Sequence, residues 1–318
     1  MKNRSIICIT ILFILCLAVA GLTACSNPND DGKMKIVVTV FPEYDWVENV
    51  LGEQKDRFNI ILLQKNSADL HNFDPGSEDL VNISTSDLFI YVGGESDEWV
   101  EDALKNPVNG DRKALSLMEI LGDKAREEET VEGMEGEEEE EEESETEYDE
   151  HVWLSLSNAR LFVSAIADAL CELDETNAQT YRTNADGYNA QLTALDEEYK
   201  TTIAGTTVKT LVFGDRFPFL YMFKDYGLTY YAAFKGCSAE SEASFETIVF
   251  LSKKVDELGA KNIWTIEGSD GKIARTVRDN TTTKDQTIRT LNSLQSGANG
   301  QTYLSAMRSN LEILKQGL

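Results

Sequence analysis

The sequence predicts an α/β protein of two lobes, each a parallel sheet flanked by helices, joined by one long rigid helix. Three observations carry this. Short β-rich runs alternate with helical stretches in the first part of the chain, and the same alternation returns in the last third. Between them an uninterrupted helical pattern runs from Asn177 to Ile203, with Tyr181, Tyr188, Leu192 and Leu195 near helical spacing. Strands alternating with helices imply parallel sheets covered on both faces, and 318 residues are enough for two cores.

In order, Lys35–Val40 is a β-rich run that breaks at Phe41-Pro42 into a helix over Asp45–Leu51. Phe58–Leu63 and Leu88–Val92 are two more strands, with a helical turn at Asp79–Ile83 between them. Asn158–Leu173 and Asn177–Ile203 read as helices. Strand signals resume at Lys209–Phe213, Thr229–Phe234 and Asn262–Ile266, and a closing helix starts near Tyr303. The expected division is an N-terminal lobe over 34–173 with an acidic disordered insertion at 127–148, a linking helix over 174–204, and a C-terminal lobe over 205–318.

The N-terminus reads as an export signal. Lys2 and Arg4 precede an apolar stretch from Ile6 to Leu22, and Leu22-Thr23-Ala24-Cys25 has the form of a lipobox. Residues 1–24 are then a signal peptide, Cys25 the lipidated residue and 25–33 a polar tether. The expected location is the outer face of the cytoplasmic membrane, with the chain anchored by lipid. Cys171 and Cys237 are the cysteines of the folded part, and sequence alone does not show whether they are close.

The formal net charge is −27, which argues against nucleic acid, because phosphate binding needs clustered Lys and Arg. Cations are the better partner class. Residues 127–150 hold 16 acidic side chains and no basic one, so the remainder is only moderately acidic. Glu137–Glu143 is unbroken; its carboxylates repel one another and bury no apolar surface. It is either a solvated insertion or a weak collector of cations.

The scarcest chemistry is histidine. There are two, His71 in Asp69-Leu70-His71-Asn72-Phe73-Asp74-Pro75 and His151 in Asp149-Glu150-His151-Val152-Trp153-Leu154. Imidazole is the commonest metal ligand, and loops at the carboxyl ends of parallel strands are where α/β sheets bind ligands. Eighty residues of separation form no local metal motif, so spacing alone does not displace the ordinary role of a lone histidine, on the surface or hydrogen-bonded in the core.

The chain resembles the metal-binding lipoproteins of zinc and manganese ABC importers. The matching stretches are Thr39-Val40-Phe41-Pro42 with Tyr44-Asp45-Trp46, the two histidine motifs, Phe213-Gly214-Asp215, Tyr226-Gly227-Leu228, Ser238-Ala239-Glu240-Ser241-Glu242-Ala243-Ser244, and Tyr303-Leu304 with Asn310-Leu311. The resemblance implies that His71 and His151 are metal ligands. It also implies a third ligand at Gly214 and a fourth at Asn292, neither of which carries a strong donor. Asp215, Cys237 and Glu267 are the candidate replacements: Asp215 beside Gly214, Glu267 at the end of a strand, Cys237 in the loop after another. A Cys237 thiolate would favour zinc (Zn2+) over manganese (Mn2+).

The implied function is the solute-binding component of a metal importer, working with ABC permease and ATPase subunits as a monomer and not as an enzyme. Two alternatives stay open. One is a binder of an organic ligand or metal chelate, its cleft lined by Phe217, Phe219, Tyr221 and Trp264. The other is a metal-dependent hydrolase with Glu267 as base, against which stands the lack of a short His-x-x-x-His motif or a nucleophile elbow.

Overall fold

Ile36, Val37 and Val38 are fully buried in the first strand, Met34–Val38 (β1), as a strand covered on both faces requires. The computed structural model describes residues 32–65, 70–135, 147–238, 242–295, 297 and 300–318. The export signal, Cys25 and the run Glu137–Glu143 lie outside the described residues. After β1 the chain enters a helix, Phe41–Leu51 (α1), with Pro42 in its first turn, where no intrahelical N–H is needed. Glu43 reaches back to accept from Thr39 N (2.8 Å), Thr39 Oγ1 (3.1 Å) and Val40 N (3.2 Å). The lobe continues through Phe58–Leu62 (β2), Ser77–Ser84 (α2), Leu88–Tyr91 (β3), Trp99–Leu104 (α3), Lys113–Ser116 (β4) and Leu117–Leu121 (α4).

Leu156–Leu173 (α5) then packs against α1 and α4, and the long helix Ala178–Ala204 (α6) runs between the lobes. At 27 residues α6 is about 40 Å long. Its buried residues Tyr181, Ala185, Tyr188, Leu192, Leu195, Tyr199 and Ile203 fall three or four apart on one face. Two tyrosines pin it to different lobes: Tyr188 donates to Asp45 Oδ2 in α1 (2.8 Å), and Tyr199 donates to the Met307 carbonyl (2.6 Å).

The second lobe runs Thr210–Phe217 (β5), Leu220–Tyr226 (α7), Thr229–Lys235 (β6), Phe245–Leu258 (α8), Asn262–Ile266 (β7), Lys272–Asn280 (α9), Thr287–Leu291 (β8) and Tyr303–Gly317 (α10). Met307 belongs to α10. The sheets repeat one order, β2-β1-β3-β4 and β6-β5-β7-β8. Parallel registers join β1 to β3, β3 to β4, β5 to β6, β5 to β7 and β7 to β8. In each sheet the order reverses beside the first strand, so crevices form at the carboxyl ends of β1/β3 and β5/β7.

The expected fold class is the one observed, with two strands added. β4 and β8 escaped prediction for the same reason. Each is a short sheet edge with little buried surface: only Ser116 is buried in β4 and only Leu291 in β8, so neither has a strong apolar run. The strand expected over Lys209–Phe213 extends to Phe217. Phe217, Phe219, Tyr221 and Trp264 are each at most 2% exposed and belong to the core, so they line no open aromatic cleft. Phe217 stacks on Tyr230 with centroids 3.4 Å apart.

The segment expected to be a disordered insertion is placed at both ends. Glu127 and Tyr148 form an antiparallel bridge, and Glu135 bridges in parallel to Phe234 of β6. Residues 136–146 lie outside the described residues.

Candidate metal centre

His71 sits in a single 3-10 turn, Leu70–Asn72, fixed from below by buried Leu70. Its Nδ1 is 2.7 Å from Ser96 Oγ and 3.5 Å from Glu150 Oε2. Ser96 lies in the turn after β3, and its backbone N–H donates to Glu150 Oε1 (2.9 Å), which closes a small network behind the imidazole. Gly94 makes room for that network. It has φ of +89°, and a Cβ there would lie 2.3 Å from Glu150 Oε1.

His151 is fully buried just before the turn Val152–Leu154. Asp149 Oδ1 accepts from the His151 backbone N–H (2.8 Å) and lies 3.3 Å from Nδ1. Each Nδ1 therefore faces oxygen partners, so each Nε2 is left to present its lone pair. A second set of oxygens that fixes tautomer and ring direction is the usual support of a metal-binding imidazole.

The two Nε2 atoms converge to 3.5 Å. Two nitrogens each about 2.05 Å from one zinc at the tetrahedral angle are about 3.3 Å apart, so the pair is set for one ion. Cys237 completes the group: among the described residues, His71, His151 and Cys237 bring one ligand atom each within 4.8 Å of the others. The Cys237 loop can approach because residue 236 is glycine. A Cβ at Gly236 would lie 2.9 Å from the Phe217 carbonyl and 3.3 Å from His151 Cε1.

A fourth side chain reaches the same face. Gln295 Nε2 is 3.0 Å from His151 Nε2, while its Oε1 accepts from Leu70 N (3.3 Å). The amide bridges the lobes and occupies the lone pair that an ion would use. Sequence reading overlooked it, because a neutral amide after an unseen edge strand carries no metal signal.

The remaining candidates are held elsewhere. Asp215 Oδ2 accepts from Thr265 Oγ1 and from Ile266 N (3.5 Å), and its Oδ1 accepts from Arg216 N (3.0 Å), so its carboxylate serves the β5–β7 seam. Glu267 accepts from Ser293 N and Ser293 Oγ, both at 2.6 Å, and braces the loop that delivers Gln295. Neither joins the converging set. Gly214 lies inside β5, where an added Cβ would stand 2.5 Å from Ala274 Cα of α9, so that position has no room for a ligand. Asn292 accepts from Leu294 N (2.7 Å) and shapes its own loop. Cys171 and Cys237 are both free, and Cys171 donates to the Ala178 carbonyl (3.2 Å).

Burial and neighbouring carboxylates set the electrostatics. Burial pushes Glu150 up to about 7, opposed by the hydrogen bonds from Ser96. For His151, burial disfavours the charged ring, but the Asp149 charge and hydrogen bond, backed by Glu128 and Glu150, outweigh it and raise the pKa above the ordinary value. Burial, then Asp149, Glu128 and Glu150, lift the Cys237 thiol well above the usual range. Without a cation the thiol keeps its proton; a coordinated one would lose it.

A two-lobed frame with converging imidazoles and a thiol can be compared with known proteins. The profile of zinc-uptake complex component A periplasmic, ZnuA, matches residues 36–317. The chain belongs to the ZnuA family. Its ZnuA relatives include the high-affinity zinc uptake system protein ZnuA of Bacillus subtilis, 30% identical over 322 residues, covering 96% of this chain and 97% of the relative. The zinc-binding protein AdcA of Streptococcus pyogenes serotype M3 is 29% identical over 303 residues, covering 92% of this chain and 58% of the relative. This chain therefore spans a little over half of that protein. The Zn(II)-bound ZnuA-like domain of Streptococcus pneumoniae AdcA superposes with a TM-score of 0.70 at 27% identity, covering 90% of this chain and 99% of that one.

Proposed function

We propose that this chain captures one divalent transition metal ion, zinc before manganese, between its lobes and delivers it to the permease of an ABC importer powered by an ATPase subunit. It would act as a monomer held by lipid at Cys25 on the outer face of the cytoplasmic membrane. The observation that carries the reading is the convergence of two Nε2 atoms at 3.5 Å, each ring fixed through its Nδ1, with Cys237 inside the same 4.8 Å group. Membership in a zinc-uptake family supports the transport role.

The chemistry of the donors favours zinc. Two imidazoles and one thiolate form a borderline-soft set, which suits zinc better than manganese. The thiolate also supplies the anionic charge that a divalent ion needs when it leaves water. On arrival the ion displaces the Gln295 amide from His151 and the proton from Cys237. Rotation of that amide offers its oxygen as fourth donor; water is the alternative.

The test is a zinc titration of the purified protein against a chromophoric competitor, with metal content measured in parallel. The wild type should bind one ion, and a His71→Ala/His151→Ala double variant should lose tight binding by about 100-fold or more. A double variant with unchanged stoichiometry and affinity would sink the reading.

A further inference from the structure

The root of the acidic insertion leaves the N-terminal lobe and crosses to the C-terminal one. Its two ends first pair with each other: Glu128 N donates to the Glu147 carbonyl (3.0 Å) and Asp149 N to the Arg126 carbonyl (2.9 Å). Tyr221 of α7 ties both to the second lobe, accepting from Arg126 N and donating to the Asp149 carbonyl, each at 3.0 Å. Beyond that point Glu129 pairs with Lys224 (2.6 Å) and Glu132 with Lys254 (3.7 Å). Met134 is buried, and Glu135 N donates to the Ala233 carbonyl (2.9 Å) on the open edge of β6.

An edge cover alone would explain the contacts with β6. It does not explain Glu128. Its Oε1 turns toward the metal centre and accepts from the backbone N–H of Cys237 (3.0 Å). One residue on, Arg216 Nη1 donates to the Ser238 carbonyl (3.1 Å). The loop that carries the thiol is thus held both by its own lobe and by a residue from the insertion.

We infer that Arg126–Glu135 is a strap that seats the thiol of Cys237 in the metal site, with Glu128 as the positioning residue. The inference rests on the reading of Cys237 as a ligand. A hydrogen bond from a backbone N–H to a carboxylate is stronger than one between neutral groups, and removing the acceptor leaves a half-buried N–H to find water. The loop then loses that fixed point and the sulfur loses its place beside the imidazoles. Among the sixteen acidic residues of 127–150, Glu128 thus joins Asp149 and Glu150 in acting through placed hydrogen bonds.

The test loads full-length protein with Co2+ and records the thiolate-to-cobalt charge-transfer band, with zinc affinity measured alongside. Cys237→Ser should lose the band; if it keeps it, Cys237 is no ligand and that part of the functional reading fails on its own. Glu128→Ala should cut the band by at least half and weaken zinc by about 10–100-fold, the usual effect of losing a support behind a metal ligand. Glu128→Gln keeps an acceptor oxygen and should stay within about two-fold of wild type.

Gly133→Val gives an independent route should Glu128→Ala fail to fold. A Cβ at 133 would lie 2.0 Å from Phe250 Cδ1, and φ there is +78°, so the substitution lifts the strap without touching the site. It should also weaken the band. A full band in folded Glu128→Ala or in Gly133→Val, with Cys237→Ser lacking it, would overturn the inference. Equal losses in Glu128→Gln and Glu128→Ala would overturn it as well, since the carboxylate would then be binding the ion directly.

Discussion

The two lobes share a strand order but contribute to the site in different ways. The N-terminal lobe supplies both imidazoles on short turns that are locked before any ion arrives: Ser96 and Glu150 stand behind His71, and Asp149 behind His151. The C-terminal lobe supplies its groups on loops that lean on other parts of the chain. Cys237 depends on Glu128 across the lobe boundary, and Gln295 on a loop braced by Glu267 through Ser293. Leu294, just before Gln295, has a left-handed φ of 59°, which a bulky residue adopts only when its surroundings impose it. One half of the site is built rigid, and the other half is held in place.

The comparison can be broken most directly with pH. Protons compete with the ion for His151, whose pKa is raised, and the ion must also displace the proton of Cys237, whose pKa is raised further. Both act in the same direction, so affinity falls as pH falls. The decline should amount to about 100-fold or more between about pH 7.5 and 5.5, measured by competition with a chelator of known proton affinity. A flat profile would remove both lobes' ligands from consideration.

Next in size are the supports. Asp149→Ala takes the acceptor from His151 and should weaken zinc by about 10–100-fold, whereas Glu267→Ala loosens only a loop and should cost less than about 10-fold. A reversal of that order would mean the C-terminal lobe is the rigid one.

A third measurement concerns stability. Burial pushes Glu43 in α1 up to about 8, although backbone N–H donors hold one oxygen; among the described residues its other oxygen has no hydrogen-bond partner. The folded chain keeps a proton that the unfolded chain releases above its ordinary 4.5, so stability is lost as pH rises from there to about 8. Glu43→Gln removes the penalty. Thermal melts should show it more stable than wild type at pH 8, on the order of 2 kcal/mol, with the difference shrinking toward pH 5.

The smallest effect belongs to the acidic run. Replacing Glu137–Glu143 with Gln while keeping Glu128 should change affinity by less than about two-fold at physiological salt, because charge attraction through water is screened within about 8 Å. A larger loss would assign the run a share of the binding site.

The fold was legible where burial writes a continuous apolar run, as in β1, β3 and β7, and where a tyrosine and leucine stripe marks α6. It was not legible at β4 and β8, whose edge positions relax that requirement. Of the converging group, the histidines are marked in the sequence by their scarcity, while Cys237 is there one of three candidate replacement donors beside Asp215 and Glu267. Gln295 and Glu128 had no such mark. A glutamine is no obvious metal ligand, and Glu128 is one acid among many, distinguished only by where the strap sets it down. Asp215 is a candidate in the sequence because it adjoins Gly214, but β5 reaches on to Phe217 and puts both inside the sheet, beside Thr265 and Ala274.

Under the transport role proposed above, the tyrosine pins on α6 bear on how an ion leaves. A stiff beam fastened at Asp45 on one side and at Met307 on the other resists a wide clamshell swing of the lobes. Unloading would then be a matter of residence time set by the contacts of the Cys237 and Gln295 loops. A permease drawing the cargo out would need to pry at those loops, and the dwell of the ion would be tuned by a handful of contacts around them without altering the frame.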